Sequence, residues 1–182
     1  MPSSSENRVL ILSGAPGVGK TTAAAILAER SASSVHIESD HFFRFIRAGH
    51  IEPWKPESHE QNRLVMRIVA EAAAGYSAAG YFTVIDGIVI PGWFLEPMRD
   101  SLREAGVEVA YAVLRAPLAV CLGRLDEREG RSLADPDAVE RLWRSFADLG
   151  ELEPHAIDVE GRDAGEVAEA LARRLSEGVL KV

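Results

Sequence analysis

Gly14-Ala15-Pro16-Gly17-Val18-Gly19-Lys20-Thr21 decides how the rest of this chain is read. The stretch has the form G-x-x-x-x-G-K-T. The apolar run Val9-Leu10-Ile11-Leu12 leads into it, and an alanine-rich helical pattern from Thr22 to Arg30 follows. Strand, glycine loop and helix thus stand in the order that a phosphate-binding loop requires. The glycines let the backbone curl until its N–H groups point inward at phosphate oxygens, and the helix adds its positive N-terminal end. Residues from Gly14 to Thr21, with Thr22 next in line, are expected to bind a purine triphosphate. Lys20 has its β/γ-phosphates to reach and Thr21 a magnesium ion to ligate.

Working outward, the 182 residues suit one domain with a real core, and 47% hydrophobic with 26% charged residues is an ordinary globular balance. No apolar run approaches the ~20 residues of a membrane span and the first residues lack the apolar centre of a signal peptide, so a cytoplasmic protein without membrane contact is expected. A formal net charge of −8 argues against a nucleic-acid surface. The lone Cys121 has no partner for a disulfide and no companions for a metal site, which makes it a core or helix residue.

Strands are expected at 8–13, 35–39, 81–86, 106–114 and 155–159. Helices are expected at 20–31, 42–47, 59–79, 94–104, from Pro117 onward, from Asp135-Pro136 to about 150, and from Asp163 to about 175. Strands alternating with helices mean a parallel sheet covered on both faces. In the helix over 59–79, Leu64, Val65, Ile68, Val69 and Ala72 are expected on the buried face. Asp40, at the end of the second strand, lies at the edge where open α/β sheets bind ligands, or caps the helix beginning at Phe42. The irregular segment from His50 to His59, with Pro53, Trp54 and Pro56, is either a loop that closes over a ligand or a surface loop with Trp54 tucked into the core. Asp86 ends the third strand, beside the phosphate loop, and either holds magnesium or caps the turn at Gly87. Arg124, Arg128 and Arg131 share one helical face and either converge on a polyanion or form a solvated, salt-bridged surface with Asp126, Glu127 and Glu129.

Taken together, the phosphate loop, Ile85-Asp86-Gly87, Leu114-Arg115-Ala116-Pro117 with Arg124 and Arg128 seven and eleven residues after the proline, and Ile157-Asp158 before the last helix resemble the P-loop kinases of the nucleoside-monophosphate-kinase type. The likeness extends to their small-molecule relatives, the shikimate, gluconate, chloramphenicol and zeta-toxin kinases, and covers nearly the whole chain. It implies a five-stranded parallel sheet of order 2-3-1-4-5 in a single domain 1–182, with a core of 8–48, 81–123 and 154–180, an acceptor-binding segment 40–80 and a lid 124–134. It also implies that Arg124 stacks on adenine, that Arg128 binds the transferring phosphoryl group, and that Gly161-Arg162 forms a second adenine contact. In the small-molecule branch an aspartate after strand two orients or deprotonates the acceptor hydroxyl, and Asp40 holds that position.

One departure bears on the acceptor. Adenylate kinases follow the strand-three Asp-Gly with Phe-Pro-Arg, whose arginine holds the acceptor's phosphate, and here Ile88-Val89-Ile90 follows. Arg44 could substitute. The expectation is therefore an ATP- and magnesium-dependent transfer of the γ-phosphoryl group to a hydroxyl of a small molecule. Lys20, Asp40 and Arg128 would be catalytic, Thr21 and Asp86 would hold the metal, and Asp40, Phe43, Arg44, Trp54, Asp86 and Gly87 would bind the acceptor. The molecule would be a monomer or homodimer. A nucleoside or nucleoside-monophosphate kinase is the alternative enzyme, and a nucleotide-gated switch the alternative of another class. A GTPase-type switch would need the N-K-x-D guanine motif, which this chain lacks.

Overall fold

The computed structural model describes residues 7–126 and 135–182. Five strands, β1 (Arg8–Gly14), β2 (Ser34–Glu38), β3 (Phe82–Asp86), β4 (Glu108–Arg115) and β5 (Ala156–Asp158), form one sheet of order β2-β3-β1-β4-β5. All four pairings are parallel, as expected from the alternation of strands and helices. The seven α-helices of the described residues are α1 (Lys20–Glu29), α2 (Ser39–Arg44), α3 (His59–Ala78), α4 (Leu95–Glu104), α5 (Leu118–Asp126), α6 (Pro136–Arg144) and α7 (Ala164–Ser176). Helices α1 and α7 pack together on one face of the sheet, and α3 and α4 on the other.

The central strands are apolar along their whole length because both faces are covered. Val9, Leu10, Ile11 and Leu12 are fully buried, as are Tyr111, Ala112 and Val113 of β4. Only three residues of β5 pair with β4, opposite Val113, Leu114 and Arg115. The edge left open below them is taken by the last residues of the chain. Tyr111 N–H donates to the Leu180 carbonyl at 2.8 Å, Val182 N–H to the Val109 carbonyl at 3.1 Å, and Leu180 is wholly buried. A C-terminal tail thus closes an exposed strand edge.

Three expectations are corrected. Helix α2 begins at Ser39 and ends at Arg44, three residues earlier than expected, because the chain passes from extended backbone at Glu38 straight into helix. Its N-cap is Glu38 with no side-chain cap bond, so Asp40 sits inside the first turn and is not the cap. Helix α3 is rotated about its axis relative to the expected face. Val65 and Val69 are buried as expected, but Leu64 and Ile68 are exposed, and the inward stripe runs through Asn62, Val65, Met66, Val69, Ala70, Ala73 and Ser77. Alanines allow close approach to the sheet, while Asn62 and Ser77 can be buried because each has a partner. The Ser77 hydroxyl donates to Asn7 Oδ1 at 2.8 Å. At the other end of the chain, Asp163 caps α7 in a reciprocal capping box with Glu166, and Asp135 caps α6 by accepting from the Asp137 N–H. Helix α6 stops at Arg144, short of the expected 150.

Candidate active site

The strand order places the carboxyl ends of β1 and β3 side by side, and the crevice beyond them is where an open α/β sheet offers a site. The first wall is the loop between β1 and α1. Gly14, Gly17 and Gly19 all have positive φ, of 139°, 77° and 106°. At Gly17 a Cβ would also collide with the Cys121 carbonyl oxygen of α5, so both conformation and space demand glycine there. The Lys20 ammonium donates to the Gly14 and Ala15 carbonyls at 2.9 and 3.0 Å, folding its side chain over the loop. Arg124 of α5 donates to the Val18 carbonyl at 2.9 Å and braces the loop from outside.

Asp86 faces this loop from the end of β3 and is 5% exposed. Burial alone would raise its pKa, but His36, Lys20 and the Thr21 hydroxyl together outweigh burial and hold the carboxyl below its ordinary range. His36 lies on β2 with Nε2 at 3.6 Å from Asp86 Oδ2, beyond a good hydrogen bond. An ionised buried carboxylate next to a threonine hydroxyl is a hard oxygen pair of the kind that suits magnesium. Among the described residues no group of three or more histidine, cysteine or acidic side chains could hold a metal by itself.

Loop and aspartate open into a cavity of about 630 Å³. Its walls bring together Lys20, Thr21, Asp40, Phe43, Arg44, Trp54, Asp86 and Gly87, drawn from four separate stretches of sequence. Trp54 is half-buried and lines this cavity, so its segment forms a wall. That segment is pinned to α3. Gln61 exchanges two hydrogen bonds with the Ile51 backbone (2.8 and 2.6 Å), and the Asn62 amide donates to the Pro53 carbonyl at 2.7 Å and to Ser58 Oγ at 2.9 Å.

Several wall residues carried no usable sequence signal. Glu38, Ser39 and Asn62, together with Arg141 and Ser145 of the α6 region, line the cavity from positions that read as ordinary surface or helix residues. Trp93 also lines it, and a tryptophan in the turn just after β3 was the one signal available. The loop 87–90 that follows Asp86 is clamped by a buried network. Ser13 Oγ accepts from the Val89 N–H at 2.8 Å and donates to the Val89 carbonyl at 3.0 Å, and the same carbonyl accepts from Tyr111 Oη at 2.8 Å.

A second cavity, of about 330 Å³, lies at the ends of β4 and β5 and is lined by Ala15, Leu114 to Pro117, Trp143, Phe146, Ala147, Asp158 and Glu160. The Trp143 indole N–H donates to the Ala116 carbonyl at 2.8 Å and fixes that wall. Thr22 is exposed on α1, and Gly161 and Arg162 are exposed in the turn after β5, so none of the three lines either cavity. Arg128 and Arg131 lie outside the described residues.

This fold, with a glycine loop after β1 and an aspartate at the end of β3, defines a P-loop, nucleotide-binding domain. The chain belongs to the AAA domain family, whose sequence profile matches residues 9–151. Among solved structures it is similar to the tunicamycin resistance protein of Deinococcus radiodurans (23% identity over 93% of this chain and 95% of that one, TM-score 0.70). It is similar also to a gluconokinase from Sinorhizobium meliloti (20% identity, 96% of each chain, TM-score 0.66). Shikimate kinase from Acinetobacter baumannii in complex with shikimate shares 20% identity over 94% of each chain, with a TM-score of 0.59. At these identities the likeness is one of fold. No curated protein matches the chain in sequence. No described helix is long and apolar enough to cross a membrane.

Proposed function

We propose that the chain transfers the γ-phosphoryl group of ATP to a hydroxyl of a small molecule. The observation that carries this reading is that Asp40 and the phosphate loop open into the same cavity of about 630 Å³, with room between them for an acceptor. A switch needs no second compartment facing its γ-phosphate, whereas a transferase does.

Phosphoryl transfer is mostly positioning and charge stabilisation. The adenine would occupy the cavity of about 330 Å³ beside Ala15, and the triphosphate would run along the loop amides toward Lys20. On phosphate binding, the Lys20 ammonium would exchange its two carbonyl partners for phosphate oxygens. Thr21 and Asp86 would hold magnesium, which when bound neutralises part of the charge on the phosphates. The acceptor hydroxyl would lie near Asp40, which orients it or takes its proton. Its oxygen then forms the new bond to phosphorus as the bond from phosphorus to the β–γ bridging oxygen breaks, leaving ADP. Asp40 is exposed to the cavity and free of capping duty, and both properties support that role. Arg128, which lies outside the described residues, would bind the transferring phosphoryl group.

The decisive experiment follows label from [γ-32P]ATP into a panel of sugars, hydroxy acids, nucleosides, nucleoside monophosphates and aminocyclitol or phenicol compounds. Once an acceptor is found, Asp40→Asn is expected to lower kcat by at least about a hundredfold while leaving ATP affinity within about twofold. Full turnover by that variant would remove Asp40 from the mechanism. Tight nucleotide binding with no transfer to any member of the panel would favour the switch.

A further inference from the structure

We infer that the acceptor is a hydroxyl compound carrying a flat apolar group, aromatic or of similar shape, and no anionic group. This deepens the phosphoryl-transfer reading and rests on it.

Four aromatic rings line the same cavity. Phe43 of α2, Trp54 of the pinned segment, and Trp93 and Phe94 of the turn before α4 all line it. Trp93 lines this cavity and is 39% exposed. It is nevertheless held still. Phe94 stacks on it with centroids 4.3 Å apart and planes inclined by 21°, and its indole N–H donates to His59 Nδ1 at 3.3 Å. A fixed, half-open indole that folding leaves uncovered is a preformed platform, and stacking on it costs little ordering. Ile88 and Ile90 extend the same apolar wall, and both are held in place through Val89 by Ser13 and Tyr111.

The charges point the same way. Setting aside Lys20 and Asp86, which belong to the nucleotide, the described walls carry three acids, Glu38, Asp40 and Glu52, against two arginines, Arg44 and Arg141. Arg141 already has Asp135 at 3.6 Å. Among the described residues the lining thus carries no excess of positive over negative charge, which a phosphate or carboxylate needs on desolvation. The volume agrees as well. Cavities of roughly 300–1,000 Å³ enclose drug-sized ligands, and this one, at about 630 Å³, is of that size.

Matched ligand pairs test this without turnover. The full chain, saturated with magnesium and a non-hydrolysable ATP analogue, is titrated calorimetrically with phenyl and methyl β-D-glucoside, and with 1-phenyl-1,2-ethanediol and 1,2-propanediol. Each phenyl member is expected to bind about tenfold tighter than its partner or more. Trp93→Leu, checked for an unchanged melting transition, should bring the ratio toward one, whereas Arg44→Ala should leave it. Equal affinities within both pairs, or tighter binding of gluconate or glycerol 3-phosphate than of the phenyl compounds, overturn the inference and leave phosphoryl transfer standing. Phenyl-selective binding with no label transferred to any hydroxyl supports the assignment of the pocket and instead removes the transferase reading.

Discussion

Asp86 shows how much one side chain depends on its neighbours. Buried as it is, it would be a weak acid if alone, and the ring of His36, the ammonium of Lys20 and the hydroxyl of Thr21 keep it ionised. Because its folded pKa lies below the ordinary value of 3.8, the stability it contributes is fully present above that ordinary value. It is lost progressively as pH falls through the depressed folded value. The gap between the melting temperatures of the wild type and Asp86→Asn should therefore be widest near neutrality and narrow as the pH is lowered below 3.8. A gap independent of pH would mean that the carboxylate charge contributes nothing. At this scale the sequence was legible for Lys20, Thr21 and Asp86, since a motif and a strand end name them. His36 was not, because nothing in a strand's own sequence states which residue lies across from it.

Among the elements, the loop 87–90 owes its shape to two neighbouring strands. Ser13 of β1 offers its hydroxyl to both the N–H and the carbonyl of Val89, taking the place of a ladder partner beyond the end of β3, and Tyr111 of β4 adds a second donor. Removing Ser13 Oγ leaves the Val89 N–H buried without a partner, at a cost of roughly 1–3 kcal/mol. Ser13→Ala is thus expected to lower unfolding stability in urea by about that amount, and faster amide exchange at Val89 should accompany it. Unchanged exchange at that amide would show that the loop holds itself. Helix α3 teaches the complementary lesson. Counting large apolar residues alone pointed its Leu64 and Ile68 inward, yet the sheet selects the narrower alanine-bearing face, and Asn62 and Ser77 enter the interior on the strength of their hydrogen bonds.

For the molecule as a whole, a domain that binds nucleotide only when folded must gain stability from it. At a ligand concentration one hundred times Kd the gain is about 2.7 kcal/mol. For a chain of this length that corresponds to a rise in Tm of roughly 5–10 °C. The wild type with magnesium and a non-hydrolysable ATP analogue should show such a rise, and Lys20→Ala should show little of it at the same concentration. An equal rise in both would detach the lysine from the nucleotide.

The sequence by itself determined the parallel α/β architecture, the phosphate loop and the aspartate that faces it. Each of these is a local pattern: a glycine spacing, an apolar run ending in an acid, a helix following a strand. Tertiary structure decided the large cavity beside them. Phe43, Trp54, Trp93 and Arg141 come from separate stretches of the chain and become neighbours only when the crossovers stack their elements on one sheet. Which residues share a cavity is set by that packing, and no periodicity along a single segment encodes it.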